Sequence, residues 1–298
     1  KIVHNGIEYG IMQSIAEVYY GLRHLLGHEP QQMEPLFSDI ASGREGGYLT
    51  EITAELLGME DRETGRPVLD VIEDTASQKG TGKWTSQFAY DLGVPVPTIT
   101  AALEARNISA LKQQRTEAAE AFERSTLEHT MDESDLQEAA RDALYGSMIA
   151  AYAQGFSILQ QAAAEPEGEH GGACEMEMDM ADVADLWKGG CIIRSKLLYP
   201  IQEAFDENPQ MSNLLMAPRF RETISEPSFQ RNWRSFVSTL TGRGMPRNAL
   251  SASLSYVDDY STDRLAADMI QGQRDRFGQH GFRRRDRDGE DFHLDPAE

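Results

Sequence analysis

The sequence predicts an all-α protein, one large helical domain of roughly a dozen helices. Apolar residues recur at helical spacing, as at positions 7, 11, 12, 15, 18, 19 and 22. Long stretches are rich in Ala, Glu and Arg, which favour helices, and Gly or Pro punctuates them. No run of useful length alternates apolar and polar residues as a half-buried strand would.

The elements follow in order. Asn5–Leu26 carries that apolar stripe, and Pro30–Ser42 and Tyr48–Leu57 flank a Gly-rich turn at Gly43–Gly47. Asp61–Pro67 reads as a polar turn, Val68–Ser77 as a short helix, and Lys79–Gly82 as a loop. Trp84–Leu92 resumes a helix that Gly93-Val94-Pro95 stops, and Pro97–Arg124 forms one or two more. Ser134–Ala164 follows, its Asp135 and Glu138 early where the helix dipole favours acids. Glu165–Gly172 is expected as a surface linker before helices at Met176–Leu186, Gly189–Phe205, Arg219–Thr241, Pro246–Tyr260 and Thr262–Phe277. The expected organisation is an all-α domain over residues 1–277 and a non-globular, Arg- and Asp-rich tail over 278–298.

A chain of 298 residues with 40% hydrophobic and 26% charged residues has enough apolar content for a large soluble core. No apolar run is long enough to span a membrane. The net charge of −21 argues against nucleic acid or an anionic membrane surface as partner, because both would repel it. Cys174 and Cys191 make no disulfide framework, so a reducing cytoplasm is expected. The chain opens on Lys with no initiator Met, and its first residue already lies on a candidate site. It is therefore expected to be a piece of a longer protein.

That site begins the sequence. Lys1, His4, Asn5 and Glu8 repeat at i, i+3, i+4 and i+7, with Tyr9 at the edge of an arc of roughly 140°. By spacing alone this could equally be a solvated face. The mixture of amine, imidazole, amide and carboxylate, between Ile2, Val3, Ile7 and Ile11, points instead to chemistry on a packed helix. Gln78-Lys79-Gly80-Thr81-Gly82-Lys83-Trp84-Thr85 is not a P-loop, since Ser77 and Trp84 stand where that motif needs Gly and Ser or Thr. Its two lysines, hydroxyl and Gly-permitted amides before a helix start suit an anion, although a capping turn with exposed lysines has the same composition. His24 and His28 have helical metal-pair spacing, but Leu25 replaces the Glu of a zinc protease and no third ligand is evident, so no metal is expected. No G-x-G-x-x-G occurs, so the chain has no dinucleotide fingerprint of its own.

Four segments in this order resemble the decarboxylating 6-phosphogluconate dehydrogenases: Lys1 to Gly10, Gln78 to Thr85, Trp187 to Arg194, and Gln273 to His280. Their separations fit the helical C-terminal domain of that family from end to end, without its N-terminal Rossmann domain, which binds NADP. The resemblance implies oxidative decarboxylation of 6-phosphogluconate to ribulose 5-phosphate with reduction of NADP. Lys1 would act as general base and then acid, and Glu8 would protonate C1 of the enediol. A lysine in that double role must release its proton near neutrality, which partial burial would favour. His4 and Asn5 match substrate-contacting positions, and Tyr9, Lys79, Thr81 and Arg106 match positions that hold the sugar phosphate. Arg274 and His280 match positions supplied by the second subunit of a homodimer, which the C-terminal tail would reach. The sequence departs from the family at Ile11, usually Asp, across the acidic, Met-rich Glu175–Asp185, and in a tail ending Phe292-His293-Leu294-Asp295-Pro296. Two other readings compete with this one. An all-α interaction module would leave the Lys-His-Asn-Glu face unexplained, and a related hydroxyacid dehydrogenase would leave the Lys79, Arg106 and Arg274 set unexplained.

Overall fold

The computed structural model describes residues 1–77, 80–123, 126–164 and 178–294. Thirteen α-helices and two 3-10 turns make up their regular structure, with isolated bridges in place of β-strands. The fold is all-α. It divides into two compact units, Lys1–Tyr256 and a smaller one beginning at Val257.

Two helices organise the first unit. α1 (Ile2–Leu26) buries Ile7, Ile11, Ile15, Val18 and Leu22, the stripe expected from the sequence, with Met12 and Tyr19 at its margin. α7 (Glu133–Ala164) is buried on every side from Asp142 to Phe156. Its alanines 139, 140, 143, 150, 151 and 153 let neighbouring helices come close, and α1 and α11 pack along it. α2 (Pro30–Ser42) and α3 (Tyr48–Gly58) form a hairpin, as do α8 (Met180–Trp187) and α9 (Leu198–Glu207). α4 (Thr81–Asp91) and α5 (Pro97–Ser109) pack against α1 and each other.

Several boundaries differ from expectation for identifiable reasons. α1 starts at Ile2, with Lys1 at its N-cap, and α4 starts at Thr81, so Trp84 is already within the helix. Pro97–Arg124 is two helices, α5 and α6 (Lys112–Ala121); Arg124 lies outside the described residues, as do the expected linker at Glu165–Gly172 and the first residues of the expected helix at Met176. Val68–Ser77 contains only the 3-10 turn Val68–Asp70. Beyond it the chain is drawn to the α5–α6 junction. There Asp74 pairs with Lys112 and with Arg115 Nη1 at 2.9 Å, and the Ala76 N–H donates to Ser109 Oγ at 2.9 Å. These hydrogen bonds, Arg115's first, hold the Asp74 carboxyl at about 2.

The helix expected over Gly189–Phe205 is confined to α9. Gly190 adopts φ 69°, and the backbone beyond it crosses to the α2–α3 turn. There the Tyr48 N–H donates to Arg194 O at 3.0 Å and the Lys196 N–H to Gly46 O at 2.8 Å. Arg219–Thr241 is likewise two helices, α10 (Pro218–Ser225) and α11 (Pro227–Gly242). Pro227 excludes Glu226 from the helical region (its ψ is 124°), and the Glu226 carboxylate caps α11 by accepting the Phe229 N–H at 2.7 Å. α12 (Asn248–Tyr260) begins against α1. The carboxylate of Glu17, 1% exposed, accepts the N–H groups of Ala249 at 3.1 Å and Leu250 at 3.0 Å.

In the second unit, α13 (Ala267–Gly278) is followed by a segment, exposed over most of its length, that folds back on itself. Phe282 and Phe292 exchange two backbone hydrogen bonds, at 2.9 and 3.1 Å. The buried Asp275 gathers the rest, accepting from Gly281 N–H at 2.9 Å, Leu294 N–H at 2.7 Å and His293 Nδ1–H at 2.7 Å. The Leu294 bond leads the causes that lower the Asp275 carboxyl below its ordinary 3.8, and the Asp275 bond raises His293 above 6.5. A lowered acid stabilises the clasp above 3.8 and loses that effect as pH falls; a raised His stabilises it below 6.5 and loses that effect as pH rises. Amide exchange at Gly281 and Leu294, corrected for intrinsic rates, should therefore be slower at about pH 5.5 than at about pH 8.5. Equal protection at both would show that the His293 charge plays no part.

Candidate active site

The first turns of α1 meet the first turn of α4, and the crossing decides which side chains face one another. Gly6 lies against Thr85 and Gly82 against the Tyr9 ring, so closely that a Cβ at Gly82 would sit 2.5 Å from Tyr9 Cδ2. Thr85 Oγ donates to Ile2 O at 2.7 Å and locks the contact. Thr81, the first residue of α4, immediately precedes Gly82, with Gly80 at φ 91° before it. From α5, Arg106 lays its guanidinium 3.5 Å from the centroid of the Tyr9 ring, and its Nη2 reaches Met12 Sδ at 3.5 Å. A cation and a helix start converge on one buried phenol. Lys79 lies outside the described residues.

Along the same face of α1, His4 is 9% exposed and Glu8 and Asn5 are half-buried. His4 Nδ1–H donates to Asn5 Oδ1 at 3.1 Å, and Glu8 Oε2 stands 3.9 Å from the same nitrogen. Burial lowers the imidazole below its ordinary 6.5, against the opposing influence of Asn5 and Glu8, so the ring is neutral at physiological pH. The Lys1 side chain stands at the start of α1. The packing of α1 begins in earnest only at Val3.

Arg274 and His280 belong to the second unit. Arg274 is exposed on α13 and donates from Nη1 to Gln271 Oε1 at 3.1 Å. His280 is exposed just beyond α13, its ring meeting Phe277 in a T-shaped contact at 5.9 Å. His24 donates from Nδ1 to Tyr20 O at 2.8 Å, and among the described residues no group of three His, Cys, Asp or Glu could hold a metal ion.

The C-terminal domain model of 6-phosphogluconate dehydrogenase matches residues 1–295. The chain belongs to the 6-phosphogluconate dehydrogenase family. The NADP(+)-dependent, decarboxylating 6-phosphogluconate dehydrogenase of Bacillus subtilis is 41% identical over 97% of this chain and 60% of its own length. A decarboxylating relative from Synechococcus elongatus is also 41% identical, over 99% of this chain and 61% of its own length. The 6-phosphogluconate dehydrogenase of Plasmodium falciparum, solved apo, with its cofactor NADP+ and with its substrate 6-phosphogluconate, superposes with a TM-score of 0.91 at 36% identity. That match covers 99% of this chain and 61% of the solved one. The chain thus spans about 60% of the length of the relatives it matches.

Within this 6-phosphogluconate dehydrogenase domain, two features of the site were not anticipated from sequence. Trp187, at the end of α8, places its ring 6.1 Å from the His4 ring at 77°. The close approaches at Gly6 and Gly82 were also missed, although the two glycines and their contacts are each spaced by three residues, 6 with 9 and 82 with 85. Spacing of that kind marks a crossing of two helices only once both faces are known.

Proposed function

We propose that the full-length protein oxidatively decarboxylates 6-phosphogluconate to ribulose 5-phosphate and carbon dioxide with reduction of NADP, in the cytoplasm, and that this chain supplies its substrate-binding and catalytic helical domain. The observation that carries the reading is the corner of α1, α4 and α5. Tyr9, Arg106 and the start of α4 at Thr81 converge there, next to the Lys1, His4, Asn5, Glu8 face. A dianionic phosphate approaching a chain of net charge −21 needs such a local cluster of donors.

Lys1 would take the proton of the C3 hydroxyl as that carbon is oxidised, and return it to the C3 oxygen when the C1–C2 bond breaks and carbon dioxide leaves. Glu8 would then protonate the carbon that lost its carboxylate, giving the ketose. His4 and Asn5 would hold substrate hydroxyls, and Tyr9, Lys79, Thr81 and Arg106 its phosphate. NADP supplies the hydride acceptor. The described residues contain no strand–turn–helix cradle for its pyrophosphate.

The active protein is proposed as a homodimer, its domain over residues 1–277 completed by the partner's tail, with Arg274 and His280 of one chain closing the phosphate site of the other. Each charged phosphate contact contributes about 1.5–3 kcal/mol, so loss of one arginine should weaken substrate binding roughly ten- to a hundredfold. Mixing the full-length variants Lys1→Ala and Arg274→Ala, at a 6-phosphogluconate concentration too low to fill the weakened Arg274→Ala sites, should raise NADPH formation above the sum of the two alone. Heterodimers with crossed sites contain one intact pocket and one doubly defective pocket. No recovery after verified subunit exchange would eliminate the shared site, and no activity of the unmodified full-length protein on 6-phosphogluconate would eliminate the reaction.

A further inference from the structure

The Trp187–Arg194 segment has no role in the proposed chemistry, yet it is pinned from several sides. Cys191 Sγ–H donates to Trp187 O at 3.2 Å, and Lys188 lies 4.6 Å from the Tyr199 ring centroid while bonding Asp185 at 3.3 Å. Tyr152 of α7 donates its hydroxyl to Ile193 O at 2.6 Å, and Arg194 grips Glu51 of α3 through two nitrogens, at 3.2 and 2.5 Å. Trp187 itself packs on Phe156 with ring centroids 5.4 Å apart, and Phe156 packs on Phe205 at 5.0 Å. Phe156 and Phe205 are buried, so this aromatic row does not yield. His4 stands at its end.

An imidazole has a broad, two-fold preference about its terminal torsion, so sequence neighbours alone do not choose between two ring orientations. Asn5 rewards only the one that directs Nδ1–H toward its oxygen, and that leaves Nε2 as the acceptor. We propose that Trp187 is a positioning residue for His4, its ring walling the imidazole into the Nδ1–H orientation so that Nε2 accepts a hydrogen bond from a substrate hydroxyl. This rests on the proposed reaction. A T-shaped contact suits the task because it restrains the ring plane without supplying a competing hydrogen bond. The charged side chains that act on His4 are Glu8, which raises its proton affinity, and Lys1, which lowers it.

Two measurements test the assignment. In the 298-residue chain without substrate, nitrogen shifts of the neutral His4 ring should report the Nδ1–H tautomer. Trp187→Leu should convert it to a mixture or to the Nε2–H form, and Trp187→Phe should keep it. In the full-length protein, Trp187→Leu should lower kcat/KM for 6-phosphogluconate about tenfold or more, with Trp187→Phe within about threefold of the parent. Phe205→Leu loosens the same aromatic row without touching His4 and should leave both the tautomer and kcat/KM close to the parent's. An unchanged tautomer in Trp187→Leu, or equal changes from Phe205→Leu, would overturn the assignment. A full-length protein inactive on 6-phosphogluconate would remove the proposed reaction, and the spectrum would still decide whether Trp187 orients His4.

Discussion

In the full-length protein, Lys1→Ala should lower kcat for 6-phosphogluconate by roughly 10²–10⁴ while changing KM by less than about threefold. Lys1 and Glu8 share one face of α1 and are separated by about 10 Å of helix rise, with His4 and Asn5 between them. A sugar acid lying along that face would meet an amine at one end and a carboxyl at the other. In the proposed mechanism the amine would touch the proton that moves in the transition state and add little to ground-state contact, so its loss would fall on kcat. Lys1→Arg should recover little, because a guanidinium does not give up its proton near neutral pH. Turnover of Lys1→Ala close to that of the parent would remove Lys1 from the mechanism. A rise in KM with kcat unchanged would make it a binding group instead.

Glu17→Ala should destabilise the first unit by about 2–4 kcal/mol. Ala249 and Leu250 are fully buried, and their N–H groups have Glu17 as acceptor at the start of α12. Removing the carboxylate leaves both donors unpaired in the core, each at about 1–3 kcal/mol, and opens a void beside them. Glu17→Gln should fall between parent and Ala, since its amide offers one oxygen and turns an N–H donor toward another donor. Burial raises the Glu17 carboxyl above its ordinary 4.5, so the folded state holds this proton more tightly than the unfolded chain does. The group's contribution to stability therefore declines as pH rises from 4.5 through the raised value, and Glu17→Gln should lose that slope. Chemical denaturation gives the answer: an unfolding free energy of Glu17→Ala within about 0.5 kcal/mol of the parent would show that α12 does not depend on this cap.

The elements read correctly from sequence are those whose causes lie within a turn or two of chain. α2 runs from Pro30 to Ser42 as expected because a proline opens it and its apolar residues Met33, Phe37 and Ile40 fall on one face. The stripe of α1 follows from periodicity, and the helix expected over Ser134–Ala164 from its alanine content, in the same way. The break at Glu226-Pro227 is equally local: the rule that the residue before proline leaves the helical region would have divided Arg219–Thr241. The turn from Gly189 to Leu197 is different. A helix was a reasonable expectation for its apolar Cys191-Ile192-Ile193, and what prevents it is Tyr48 and Gly46, some 150 positions away, claiming its backbone groups.

The same division runs through the candidate site. The sequence by itself determined that this protein is helical, that Lys1, His4, Asn5 and Glu8 share a face, and that the chain resembles one enzyme family through four ordered segments, because helical phase and residue order are written locally. Only the tertiary structure decided that Gly82 lets Tyr9 pass, that Arg106 lies on the Tyr9 ring, that Trp187 meets His4 and that Asp275 fastens the chain beyond α13. These contacts join residues from about 20 to more than 180 positions apart, and their geometry depends on how whole helices pack side by side. No window of sequence contains that packing, because its energy belongs to both surfaces at once.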